Sequence, residues 1–142
     1  MDLIKGNNFV DDRGMLTFFN DFDFSEVKRM YLVRNHKAGF IRAWHGHKKE
    51  AKYVTVLQGS AIVASMPIDF QNEPGRFKKV TLSEYDPKIF YIPPGYYNGF
   101  KTLTENTILQ FFSTTTIEEA KNDDYRETWD FVGTQIWEED YR

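Results

Sequence analysis

The 142-residue sequence contains no cysteine, which excludes disulfides and thiolate-held metals and suits a reducing compartment. It has no run of five basic residues, and its formal net charge is −3, so a nucleic-acid partner has no electrostatic footprint. No apolar stretch approaches membrane-spanning length, so no membrane partner is expected. The first six residues, Met1-Asp2-Leu3-Ile4-Lys5-Gly6, lack the basic start and long apolar core of a secretion signal. The expectation is a cytoplasmic protein. Low-complexity linkers and internal repeats are also lacking, and the length suits one domain spanning residues 1–142.

Aromatic residues are abundant instead. Thirteen Phe, eight Tyr and three Trp bring the aromatic share to 17%, more than surface decoration accounts for, so they must fill a core, line a pocket or form an interface. Short runs rich in β-branched and aromatic residues read as strands at 15–19, 28–33, 52–57, 60–66, 78–82, 89–92 and 108–113. Gln58-Gly59 reads as a hairpin turn between two of them, and Pro93-Pro94-Gly95 as a corner. The helical candidate is short, residues 116–121, with a possible cap at Thr115 or Thr116. Many short strands at regular spacing predict an all-β sandwich or barrel, a double-sheet jelly roll among the options. The tail from Trp129 onward carries Phe131, Ile136 and Trp137, which are costly to expose, so it is expected to fold back on the barrel.

Two of the three histidines form His45-Gly46-His47. Alternate residues of a strand face one side, so both imidazoles are expected in the same space. Arg42 lies three positions before and Lys52 five after this pair. The third, His36, reads as a solvated loop residue, and Asp123-Asp124 and 138–140 as solvated acidic faces.

This spacing resembles the cupin superfamily, whose first motif is His-x-His, four residues, Glu, six residues, Gly, and whose second is Pro-x-Gly, two residues, His. Here Lys52 stands at the Glu position with Gly59 following in register, and Asn98 stands at the final His. Two neutral imidazoles need further donors to hold a divalent ion. An ammonium a few ångströms from a dication is repelled instead. The reading is a cupin that works without metal or other cofactor.

A narrower resemblance is to the dTDP-4-dehydrorhamnose 3,5-epimerase family. It rests on Gly39-Phe40-Ile41-Arg42-Ala43-Trp44-His45, on Lys52-Tyr53-Val54, on the stretch from Ile92 to Phe100, on Asp12-Arg13-Gly14, and on Trp129-Asp130 with Ile136-Trp137. It implies a double-stranded β-helix barrel, a short C-terminal helical segment, and epimerisation of a nucleotide-linked 4-keto sugar in surface-polysaccharide (lipopolysaccharide) precursor synthesis. By position, the resemblance makes His45 the base, Asp130 its partner and Lys52 the stabiliser of the enolate. It makes Arg42 and Arg13 ligands of the diphosphate, with Phe9 near the nucleotide base and Asn35 in contact with the nucleotide. A homodimer would follow from exchange of an N-terminal strand. Apart from the resemblance, the Pro93-Pro94-Gly95 corner is expected to set the strand that presents Asn98 to the substrate, while Tyr96 and Tyr97 either line the mouth or serve aromatic packing. Two departures stand out. The family's acid, a Tyr on the late strand, falls on Phe111, which has no proton to give, and a family Glu near the base falls on Phe18. The run His45-Gly46-His47-Lys48-Lys49 also resembles the sugar 3,4-ketoisomerases, in which the second histidine, here His47, takes part in catalysis. Ketoisomerase and catalytically silent sugar-nucleotide binder are therefore the alternatives.

Overall fold

The computed structural model describes residues 2–72 and 74–142. Twelve strands and one helix follow in chain order: β1 (Leu3–Lys5), β2 (Asn7–Asp11), β3 (Gly14–Phe18), β4 (Arg29–Arg34), β5 (Ile41–His47), β6 (Lys52–Gln58), β7 (Ser60–Pro67), β8 (Lys78–Ser83), β9 (Lys88–Ile92), β10 (Tyr96–Thr102), β11 (Ile108–Ser113), α1 (Ile117–Lys121) and β12 (Tyr125–Arg126). They build two five-stranded sheets, ordered β1-β9-β6-β11-β4 and β12-β5-β10-β7-β8, with β2 and β3 pairing only with each other. The pairings are antiparallel, as a jelly-roll barrel requires.

The strands arise where the sequence alternates or runs apolar. β7 is buried along both faces, which explains its unbroken Ala61-Ile62-Val63-Ala64 run. Its Ala61 and Val63 join Val54, Phe90, Ile92 and Leu109 between the sheets, while Ile62, Ala64 and Met66 face outward. There they meet Trp44, Tyr97 and Trp137 under the C-terminal tail. The tail does fold back: Trp137 is 1% exposed, and its indole N–H donates to the Trp129 carbonyl at 3.1 Å. Gly59 takes φ +79° at the β6–β7 turn, and a side chain there would collide with the Thr104 and Thr107 hydroxyls.

α1 begins where expected. Thr116 is its N-cap, accepting from the Glu119 amide, while the Glu119 carboxylate accepts from the Thr116 amide. The β2–β3 hairpin stands apart, leaving Phe9, Val10, Met15 and Leu16 between 44% and 68% exposed. Among the described residues no helix is long and apolar enough to cross a membrane.

Candidate functional site

A cavity of about 310 Å³ opens between the two sheets at one end of the barrel. From β5 and β10 come Arg42, His45, His47, Asn98 and Phe100; from β4, β6 and β11 come Arg29, Tyr31, Lys52 and Phe111. Its rim is α1 and the segment after it, with Lys121, Asp124 and Arg126.

The β5 register explains the first wall. Tyr96, Tyr97 and Asn98 pair with His47, Gly46 and His45, so the two histidines share a face with Asn98. Beyond His45 the register slips: Asn98 and Phe100, two apart, face His45 and Arg42, three apart. That β-bulge absorbs one residue and turns Arg42 to the cavity side that simple alternation would deny it. Gly99 lies opposite the bulge, where an added Cβ would sit 2.3 Å from that of Ala43.

Lys52, 5% exposed, donates to Asn98 Oδ1 at 3.1 Å. The two residues that replace cupin ligands thus bond each other. An ammonium and an amide next to two imidazoles do not make a divalent-metal donor set, and no group of three His, Asp or Glu among the described residues does so either.

Behind this wall lies Glu50, whose side chain is wholly buried. Its Oε1 accepts from Arg29 at 3.0 Å and from the Thr115 hydroxyl at 2.6 Å. Its Oε2 lies 3.5 Å from His47 Nε2 and 3.6 Å from Lys52 Nζ, without a hydrogen-bond partner of its own. Burial pushes the Glu50 carboxyl up, but the Thr115 hydroxyl, Lys52 and His47 together hold it below the ordinary carboxylate range. Burial likewise lowers the Lys52 ammonium, and Glu50 opposes that fall. His47 is fixed from its other side, Nδ1 donating to the Asp123 carbonyl. The Asp123 carboxylate takes the Lys48 and Lys49 amides, each at 2.8 Å, locking the turn that leads to Glu50.

His45, like His47, is partly buried. Burial, and after it Arg126 and Lys52, push its imidazole below the ordinary range, while Asp124 works weakly the other way. A neutral imidazole facing a cavity beside a buried ammonium is suited to take a proton from carbon and leave the charge on oxygen.

Of the residues expected from sequence, the cavity brings together His45, His47, Lys52, Arg42 and Asn98. Asp130 does not join them: it is exposed in the tail, its carbonyl accepting from Gly133, and the carboxylate near His45 is Asp124. Tyr97 points away, because Asn98 beside it points in; its ring fills the space over Gly46 in the outer cluster. Asn35 spends its amide on the Phe40 carbonyl and the Thr102 hydroxyl. Phe9 and Arg13 lie on the β2–β3 hairpin outside both large sheets, Arg13 paired with Asp11. Tyr31, Arg29, Glu50 and Arg126 had no sequence signal, apart from the lone carboxylate of Glu50 between His47 and Lys52.

The fold recurs in solved structures. The mycobacterial rmlC epimerase of Mycobacterium tuberculosis superposes with a TM-score of 0.72 at 23% identity, over 87% of this chain and 66% of that one. The chain thus spans slightly less than two thirds of that relative. The dTDP-4-dehydrorhamnose 3,5-epimerase of Sulfolobus tokodaii gives 0.73 at 25% identity, over 89% of this chain and 76% of that one. A double variant of QdtA, a 3,4-ketoisomerase from Thermoanaerobacterium thermosaccharolyticum, gives 0.69 at 26%, over 94% and 91%. No curated protein matches the chain. The family model for dTDP-4-dehydrorhamnose 3,5-epimerase, in contrast, aligns from residue 1 to residue 131, nearly the whole sequence. By that match this chain belongs to the dTDP-4-dehydrorhamnose 3,5-epimerase family of isomerases.

Proposed function

We propose that this protein is a metal-independent epimerase of a dTDP-linked 4-keto-6-deoxy sugar, serving surface-polysaccharide precursor synthesis. The observation that carries the reading is the pairing of a neutral, half-buried His45 with a buried Lys52 in one cavity. A 4-keto group acidifies hydrogens on the adjacent ring carbons. His45 removes one of them, and the electrons of that C–H bond move onto the carbonyl oxygen. Lys52, aimed by Asn98 and Glu50, faces the developing enolate as a fixed positive charge. Arg42, Arg126 and Lys121 ring the mouth and suit a diphosphate, the guanidinium forks especially. The QdtA variant is described in complex with TDP, which supports the same nucleotide here.

The exposed β2–β3 hairpin supports a homodimer in which Phe9, Val10, Met15 and Leu16 lie against a second copy. Arg13 and Phe9 then reach a neighbour's site rather than their own. The test of the reaction is a dTDP-4-keto-6-deoxy sugar incubated with the protein in heavy water and followed by NMR. Deuterium should enter beside the carbonyl, with inversion at that carbon. The second reading, 3,4-ketoisomerisation, is favoured by His45 and His47 facing the cavity together. It predicts a carbonyl moved to the neighbouring carbon.

A further inference from the structure

Inversion needs two proton carriers, because a base that takes a proton from one side of a carbon cannot return one to the other. The β5–β10 wall supplies His45. The opposite sheet shows the cavity Arg29, Tyr31, Val33, Lys52 and Phe111. Val33 and Phe111 carry no exchangeable proton, Arg29 is held by Glu50 and the Thr115 carbonyl, and Lys52 is committed to Asn98 and the enolate.

We propose that Tyr31 is the proton-donating acid, delivering its hydroxyl proton to the face of the sugar opposite His45. This rests on the epimerase reading and narrows it to inversion. Tyr31 and Phe111 are direct partners across the β4–β11 ladder. Their rings stack nearly parallel, 6° apart in plane with centroids 5.0 Å apart, on the cavity side of the sheet. The phenol therefore lies one strand away from the position where the resemblance puts an acid and the sequence has Phe111. Arg29 lies 5.2 Å from the centre of the Tyr31 ring, a cation beside the phenolate that forms on donation. Burial, then the Glu50 charge, raise the phenol above its ordinary range and Arg29 opposes them, so the proton stays on the oxygen until the more basic enolate carbon takes it.

The step balances. His45 gains the proton of the C–H bond, whose electrons pass into the enolate. The enolate carbon then takes the Tyr31 proton as the carbonyl re-forms, leaving a phenolate and an imidazolium. Solvent carries the proton from the imidazolium back to the phenolate.

Tyr31→Phe tests this, since it removes the hydroxyl and leaves the ring on Phe111. In heavy water with the dTDP-4-keto-6-deoxy sugar, the variant should keep exchanging deuterium through His45 with configuration retained. Inverted product should fall by at least ~100-fold, the lower range for one acid–base group. Affinity for dTDP and the thermal midpoint should not move, whereas a structural role for the hydroxyl would shift them. Inversion at the unmodified rate by Tyr31→Phe overturns the proposal and leaves the epimerase reading standing. Loss of exchange together with inversion also overturns it, by putting Tyr31 in the first step. Absence of exchange in the unmodified protein, or a migrated carbonyl, removes the epimerase reading and this proposal with it.

Discussion

Replacing Glu50 by Gln changes a single charge at the point where the site is most crowded. The carboxylate lies 3.0 Å from Arg29 and 3.6 Å from Lys52, with no exposure of its own side chain. At an effective dielectric constant near 20, each contact is worth about 4–6 kcal/mol of attraction before desolvation is charged against it. The pair as a whole adds little net stability, but leaving buried cations without their partner costs about 3–5 kcal/mol. Glutamine keeps the shape and one acceptor oxygen, so the low end, about 3 kcal/mol, is expected. For a chain of this size that lowers the melting midpoint by about 10 °C. A second effect separates electrostatics from packing. Glu50 is the main influence opposing the fall of the Lys52 ammonium, so the variant should lose the charged lysine at lower pH. The alkaline limb of the rate profile should move toward neutrality. The sign for stability follows: the Glu50 carboxyl is depressed in the folded protein, so its contribution is present at neutral pH and lost as pH falls through its folded value. Urea unfolding at neutral and acid pH, with a pH–rate profile, checks both effects. A variant within about 0.5 kcal/mol of the parent, the scale of an ordinary surface change, with an unmoved alkaline limb would refute the electrostatic account.

Arg42→Ala and Arg126→Ala should each weaken dTDP binding by about 1.5–3 kcal/mol, the scale of a hydrogen bond to a charged group, as read by calorimetry. Arg13→Ala should leave affinity unchanged if the protein is held monomeric. Chelators should leave turnover intact and elemental analysis should find no stoichiometric metal, since Lys52 and Asn98 occupy two ligand positions; near one metal per chain with loss on chelation contradicts this. Sedimentation at micromolar concentration should find a dimer that Leu16→Asp disrupts, because Leu16 is 61% exposed on the unpaired hairpin.

The sequence was most legible where one strand carries the whole signal. His45 and His47 share a face by period two alone, and the Thr116 cap and its Glu119 partner are a local pattern. Arg42 faces the cavity by a slipped register, which spacing along one strand does not reveal. Of the two roles the sequence leaves open for Tyr97, mouth-lining and aromatic packing, the structure shows packing: turning Asn98 inward forces its neighbour outward. Tyr31 and Arg126 enter the site through pairings with Phe111 and His45, 80 and 81 residues away, and long-range register is not a sequence pattern. Asp130 was placed by likeness, and the tail that carries it packs on the outer face of β5 and β10 rather than at the cavity mouth.

The account stands most directly on His45 as the base. Deuterium uptake from heavy water into a dTDP-4-keto-6-deoxy sugar, compared between the parent and His45→Asn, measures that role without depending on later steps. The variant should lose at least ~100-fold in uptake, with dTDP affinity unchanged. In the parent the acid limb of the same rate should lie below about 6.5, the ordinary imidazole value, because burial and Arg126 depress the His45 imidazole. Uptake by His45→Asn at the parental rate would contradict the mechanism outright.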